Sequence, residues 1–439
     1  MFRTRRFFAA ILTAALAAGF LFGSPLHDHN GRVAAAATGD EAVLTQLLNG
    51  LAATDTKAYV ARLERRRRTG GADAKTVLLL GLAYQQRARE TGDPRFFTLS
   101  EEALQSAETD PATAELSESG LAALAVSRHR FGAALSLART ALRANPEDAT
   151  ALGALGDAFL NLGRYRKAFA AYDRMAFLSP SVASYSRIAH ARELLGRPRA
   201  AEEALQLALT LRVAVPEHRA AALVQLGNIE FNNGRLRSAR RAYRAALSAL
   251  PGYVHAQAGL ARIEAAERDF ATALPRFDHV VELLPLPQYA VWRADALRAA
   301  GVRGAALRAD ALVDVINRVQ AANGVRTELQ TALFDLDHRR RVADALARAQ
   351  EAYRRAPSID AEDVLAWGLA RNGHCVEARV HELRALRLGT RDALKFFHRA
   401  AIERCLGNAG TATAWARRAL AVNPHFSLRW ETTARRWAR

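Results

Sequence analysis

One residue type returns to the same register nine times. Ala134, Ala168, Ala201, Ala239, Ala273, Ala306, Ala345, Ala378 and Ala412 follow one another at spacings of 34, 33, 38, 34, 33, 39, 33 and 34 residues. A period of that length over most of a chain specifies stacked copies of one supersecondary unit, none of which can bury its apolar side alone. Alanine belongs where two helices cross most closely, because a larger side chain would push them apart. A second column of small residues holds Gly81, Ala122, Gly156, Ala189, Gly227, Ala261, Ala294 and Ala400. A third is proline, at Pro146, Pro180, Pro251, Pro285, Pro357 and Pro424, which ends one helix and sets the entry to the next unit. Between the helices of a unit, Gly163, Gly196, Gly234, Gly301, Gly373 and Gly407 supply a left-handed closing residue.

The stretch from Ala149 to Val182 is the clearest unit. Leu152, Leu155, Gly156 and Phe159 recur at helical spacing before Gly163, and Ala168, Tyr172 and Met175 after it, giving two amphipathic helices. Regular units span 115 to 148, 149 to 181, 182 to 219, 220 to 253 and 254 to 286. The first unit, from Ala74, carries the insertion GDPRFFTLS before a second helix expected over 101 to 108. Three later units depart from the pattern. The one from Pro287 has a long second helix, Ala305 to Ala322; the one over 326 to 359 uses Asp337-His338 where the turn glycine belongs; the one over 359 to 392 ends in Leu388-Gly389-Thr390 without proline. Pro275 falls inside a second helix and is expected to loosen it. Aromatics are only 7% of residues, and no apolar β-branched runs occur, so the composition is all-α.

These columns resemble the tetratricopeptide repeat, over roughly residues 74 to 426 and about ten repeats. The resemblance implies an all-α, right-handed superhelical solenoid of helical hairpins. The expected organisation is a signal peptide or anchor at 1–37, cap helices at 38–73, a first array at 74–286, an irregular second array at 287–426 and a C-terminal cap helix at 427–439. It also implies a concave surface, lined by the first helix of each hairpin, in which an extended segment of a partner lies. By position, that surface presents Asp157, Asn161, His190, Asn228, Phe231, Asn232, Arg262, Asp295 and Arg298. Asparagine suits the role because its amide both donates and accepts, and arginine can pair a carboxylate in a forked geometry. Replacing Asn228 and Asn232 together is expected to weaken partner capture and leave melting unchanged. The lysine-rich carboxylate clamp of chaperone-binding relatives is missing, since alanine and valine stand where lysines would be needed.

Arg3, Arg5 and Arg6 precede an uncharged apolar run from Phe7 to Phe22, followed by Ala34 to Ala37, as in a secretory signal. Export is therefore expected, with retention through 7–22 as a membrane anchor if the signal is not cleaved. Two cysteines, Cys375 and Cys405, fall in successive units; two buried free thiols are the preferred reading and a disulfide the alternative.

The formal charge of +18 comes with only four lysines among 62 basic residues, and the arginines spread along every repeat. A solvated basic surface accounts for that distribution, with an anionic envelope polymer or lipid as the alternative partner; nucleic acid is not expected. No serine elbow, zinc-binding helix motif or phosphate-binding glycine loop occurs. His374, Cys375 and His381 match no established ligand set. The expectation is a monomeric, non-enzymatic scaffold for a protein or peptide partner, without cofactor or metal.

Overall fold

A computed structural model describes residues 55–70, 73–211 and 215–439. The expected signal segment and the first cap helix lie outside these residues. Among them there are 22 helices and no strand. Helix α1 (Thr56–Arg68) is followed by ten hairpins: α2 (Ala74–Thr91) with α3 (Arg95–Glu108), α4 (Ala114–Ser127) with α5 (Phe131–Ala144), α6 (Ala149–Asn161) with α7 (Tyr165–Leu178), α8 (Val182–Leu194) with α9 (Pro198–Thr210), and α10 (Pro216–Asn232) with α11 (Leu236–Ala249). The second half continues with α12 (Val254–Ala266) and α13 (Phe270–Leu283), α14 (Pro287–Ala299) and α15 (Arg303–Ala322), and α16 (Glu328–Asp337) and α17 (Val342–Arg355). The last two hairpins are α18 (Ile359–Arg371) with α19 (Cys375–Ala385) and α20 (Ala393–Cys405) with α21 (Ala409–Val422), closed by α22 (Glu431–Trp437).

The alanine column sits where the periodicity requires. All nine members are at most 2% exposed, each at the crossing inside its hairpin. The small-residue column explains a second packing rule. A Cβ on Gly156 would lie 2.4 Å from the Tyr172 ring, and one on Gly227 would lie 2.5 Å from Tyr243, so each glycine admits a tyrosine from the facing helix. Helix starts are set locally. Asp148 accepts from Thr150 and Ala151 N–H at 2.7 and 3.1 Å, Ser181 and Ser184 form a reciprocal capping box, and Pro198, Pro216 and Pro287 open their helices.

Four expectations change in detail. Helix α13 runs unbroken through Pro275, whose missing donor would have served the carbonyl of exposed Ala271, where water can replace it. The insertion of the first unit is mostly helix, since α3 begins at Arg95. The left-handed residues of the unit over 326 to 359 are Arg339, with φ of 54°, and Arg341, with φ of 42°, rather than Asp337 or His338. The terminal cap helix covers only Glu431–Trp437, and the preceding stretch turns back over the array. In two units whose turn lacks glycine, His129 (φ 55°) and Arg268 (φ 68°) adopt the left-handed backbone instead.

The superhelix closes on itself after six hairpins. The turns inside the second, third and fourth hairpins meet the loops leading into the eighth, ninth and tenth, while the turn of the first meets the second helix of the seventh and the turn of the fifth meets the stretch before α22. Gln320 Nε2 donates to the Gly92 carbonyl at 3.4 Å, and Arg326 N–H donates to the Arg128 carbonyl at 3.1 Å while His129 Nδ1 bonds the Arg326 carbonyl at 2.7 Å. Ile359 N–H donates to the Tyr165 hydroxyl at 2.7 Å, Thr390 Oγ1 to the Leu194 carbonyl at 2.7 Å, and Asn423 Nδ2 to the Phe231 carbonyl at 2.9 Å. Gly163, at φ +70°, has the Pro357 carbonyl 2.5 Å from where a Cβ would stand, so both backbone angle and close approach require glycine there.

Cys375 and Cys405 are joined as a disulfide with Cα atoms 5.9 Å apart, linking α19 to the end of α20. The same two hairpins also hold a densely charged interior. Lys395, fully buried, pairs with Asp360 at 2.7 Å and Asp392 at 3.3 Å, and His398 pairs with Asp363 at 2.9 Å.

Candidate functional site

Because the second superhelical turn stacks on the first, the inner helices enclose a lumen instead of lining an open trough. Its main cavity is about 320 Å³, walled by residues of both turns and by the terminal stretch Phe426–Leu428. The walls are chiefly apolar, with Phe277, Val291, Val313 and Phe334 among them.

The structure distributes the candidate inner-face residues among three spaces. Phe231, Arg262 and Asp295 reach the main lumen; Asp157, Asn161 and His190 border a separate cavity of about 100 Å³; Asn228 borders one of about 50 Å³. Asn232 and Arg298 line none of the three.

Most of the polar members are committed to the fold. Asp157, 3% exposed, accepts from the Tyr172 hydroxyl at 2.7 Å and from Arg187 Nε and Nη2 at 3.0 and 2.9 Å. Burial pushes its carboxyl pKa up, opposed by the guanidinium. Asn161 donates to the carbonyl of Asp157 in its own helix at 2.9 Å. His190 is buried with Nδ1 4.0 Å from Glu193 Oε2. Asn228 accepts from the fully buried Tyr243 hydroxyl at 2.8 Å, and Asn232 is buried and engaged inside the fold. Replacing Asn228 leaves the buried Tyr243 hydroxyl without its acceptor, so the Asn228/Asn232 double substitution lowers melting instead of leaving it unchanged. Arg298 donates to Asp310 Oδ2 at 2.7 Å and to Asp295 Oδ1 at 3.4 Å; Asp295 also meets His338 Nε2 at 2.8 Å.

Arg262 differs from all of these. Its guanidinium lies between two rings, 4.0 Å from the centre of Phe231 and 4.3 Å from that of Trp292. Among the described residues no carboxylate lies within ion-pair distance of it, and its buried Nη1 has no hydrogen-bond partner. Burial pushes its pKa down to about 10, with only Tyr243 and Tyr289 acting in the other direction. Trp292 escaped the sequence reading, although Phe231, Arg262 and Trp292 stand 31 and 30 residues apart, one per unit, which is the signal that could have found it. His381, considered for a metal, instead bonds Glu362 Oε2 at 2.6 Å, and among the described residues no three metal-binding side chains gather.

Stacked antiparallel hairpins wound into a superhelix define an all-α solenoid. Residues 120–183, 187–254 and 224–285 match the tetratricopeptide-repeat family model. Among solved structures, part of the chain is similar to a crystal structure of MamA, at 22% identity over 37% of this chain and 92% of that one, with a TM-score of 0.29. A second crystal structure of the MamA protein gives 21% identity, 39% and 91% coverage and the same TM-score of 0.29. No curated protein matches the chain. Tetratricopeptide repeats suggest a scaffold for protein–protein interaction.

Proposed function

We propose that this protein is an exported, non-enzymatic scaffold that binds a protein or peptide partner in the cell envelope or outside the cell. The observation that carries the binding role is the continuous inner face of ten stacked hairpins, which presents side chains that the repeat pattern does not require. Export rests on the basic start, the apolar run from Phe7 to Phe22 and the alanines at 34 to 37.

Crosslinking of the tagged protein in cells, followed by mass spectrometry, tests the scaffold role. Recurrent capture of one partner supports it, and a chain that crosslinks to nothing beyond abundant bystanders refutes it. Cell fractionation tests the compartment independently; mature protein in the cytosol overturns export.

A second reading has an observation of its own. Arg65, Arg66, Arg67 and Arg68 are all exposed at the end of α1, forming a basic edge suited to an anionic envelope polymer or lipid headgroups. Sedimentation with anionic vesicles across a salt series separates the two, because an adhesion that rests on this edge falls steeply with salt.

A further inference from the structure

We propose that the lumen is a binding site for a small amphiphilic carboxylate of about ten non-hydrogen atoms in all, with the carboxylate on Arg262 and the apolar chain against the surrounding walls. This goes beyond the scaffold reading and does not depend on it.

The charge of the ligand follows from which wall groups are already neutralised. Three carboxylates face the lumen, and each is engaged. Asp295 is held by His338 and Arg298, Asp337 accepts from the Trp367 and Trp430 indoles at 3.0 Å each, and Asp360 is paired with Lys395 at 2.7 Å. Of the two arginines on the lumen wall, Arg89 has the carboxylates of Glu217 and Glu90 beside it, and Arg262 is left without a described counterion. A guanidinium held in an apolar enclosure is costly without an anion, and the two flanking rings fix its plane so that a carboxylate can meet its edge. Stacking of this kind orders the arginine before any ligand arrives, so little side-chain entropy remains to be lost on binding.

Size and polarity set the rest. At about 30 Å³ for each water, 320 Å³ is the room of roughly ten, or of as many small non-hydrogen atoms. That is an eight-carbon acid, at the small end of the ligand-site range. An extended peptide would need to continue along the axis, where the turn-to-turn contacts and the Phe426–Leu428 stretch narrow the way. Asn317, 6% exposed and on the same wall, has an amide oxygen without a donor, so a ligand hydroxyl or N–H has somewhere to bond.

The test is isothermal titration calorimetry of the full chain with octanoate, octanamide and octylammonium, which share shape and differ in charge. Octanoate is expected to bind about ten- to a hundredfold more tightly than octanamide, the difference that a charge-assisted hydrogen-bond pair provides, with octylammonium weakest. Arg262→Gln is expected to abolish the preference for octanoate over octanamide. Val291→Phe, which fills the lumen and leaves Arg262 in place, is expected to remove binding of both. Circular dichroism establishes that each variant is folded; should Arg262→Gln not fold, the octanoate-to-octanamide ratio in the unaltered chain and the loss in Val291→Phe decide the matter. No heat with octanoate, equal affinity for octanoate and octanamide, or binding untouched by Val291→Phe overturns the proposal. So does tighter binding of an apolar peptide bearing a free C-terminal carboxylate, which would assign the lumen to a protein partner.

Discussion

Tyr165→Phe isolates one contact between superhelical turns. The Ile359 N–H is among the first-turn donors of α18 that have no partner inside the helix. Ser358 accepts from Ala361 at 3.1 Å, and the Tyr165 hydroxyl, 194 residues upstream, accepts from Ile359 at 2.7 Å. Ile359 is 1% exposed, so water cannot take over the bond. Phenylalanine keeps the ring in place beside Phe169 and beneath Arg387, at 6.2 and 5.3 Å between centres, and removes only the acceptor. The cost is that of an orphaned buried donor, about 1–3 kcal/mol. If the array melts as one unit, that is a fall in Tm of roughly 1–3 °C for a chain of this size. The sharper readout is hydrogen exchange across residues 359–371, expected to quicken by about five- to 150-fold. Unchanged exchange there, with Tm also unmoved, would falsify the claim that this bond ties the turns together.

The other predictions test the packing inside one turn. Ala168→Leu overfills the hairpin crossing of α6 and α7 and is expected to cost about 1–3 kcal/mol in urea denaturation, where a cost-free substitution would mean the helices are not in close contact. Arg187→Ala leaves Asp157 buried and unpaired and should cost about 3–5 kcal/mol, while joining Arg187→Met to Asp157→Leu restores most of it; equal losses in the two variants would refute the pairing argument. Glu382 is fully buried beside Asp363, and burial first, then that carboxylate, raises its pKa well above the ordinary value, so the folded state holds the proton longer than the unfolded one. Its contribution is present in acid and is lost as pH climbs through the folded pKa; Glu382→Gln should flatten the fall in Tm as pH rises above the ordinary carboxylate range, and a parallel fall in both proteins counts against this. Reducing the Cys375–Cys405 bridge, which closes 30 residues, should cost about 2–4 kcal/mol, seen as a lower melting temperature with reductant that Cys375→Ser with Cys405→Ser reproduces and reductant no longer changes.

The scaffold was legible because its columns are dictated by contacts inside one hairpin and between neighbours, which repeat wherever the sequence does. The fate of the inner-face polar residues was only partly legible. Gly156-Asp157 with Tyr172, and Gly227-Asn228 with Tyr243, share one spacing of 15 from acceptor to tyrosine, and that repetition marks Asp157 and Asn228 as structural acceptors. His129 and Arg268 likewise stand in the register of the turn glycines, five residues before Ala134 and Ala273. The contacts between turns were not legible. Tyr165, Thr390 and Asn423 are different residue types at different points of their units, and nothing local distinguishes them from solvent-facing side chains. Arg262 could be placed on the inner face from the repeat alone, but its lack of a counterion depends on where Arg298, His338 and Lys395 settle in three dimensions.

Most stacked-repeat proteins can gain or lose a unit anywhere, since each unit touches only its neighbours. This one is threaded like a screw whose pitch is six hairpins. Inserting a single 34-residue hairpin between units five and six would slide every later loop one step along the earlier turn, bringing Gly163 against a loop other than the one that carries Pro357 and separating Tyr165 from Ile359. The register would be regained only by a full further turn. The array's length is therefore quantised, and growth or trimming by single repeats is tolerated only at its two ends.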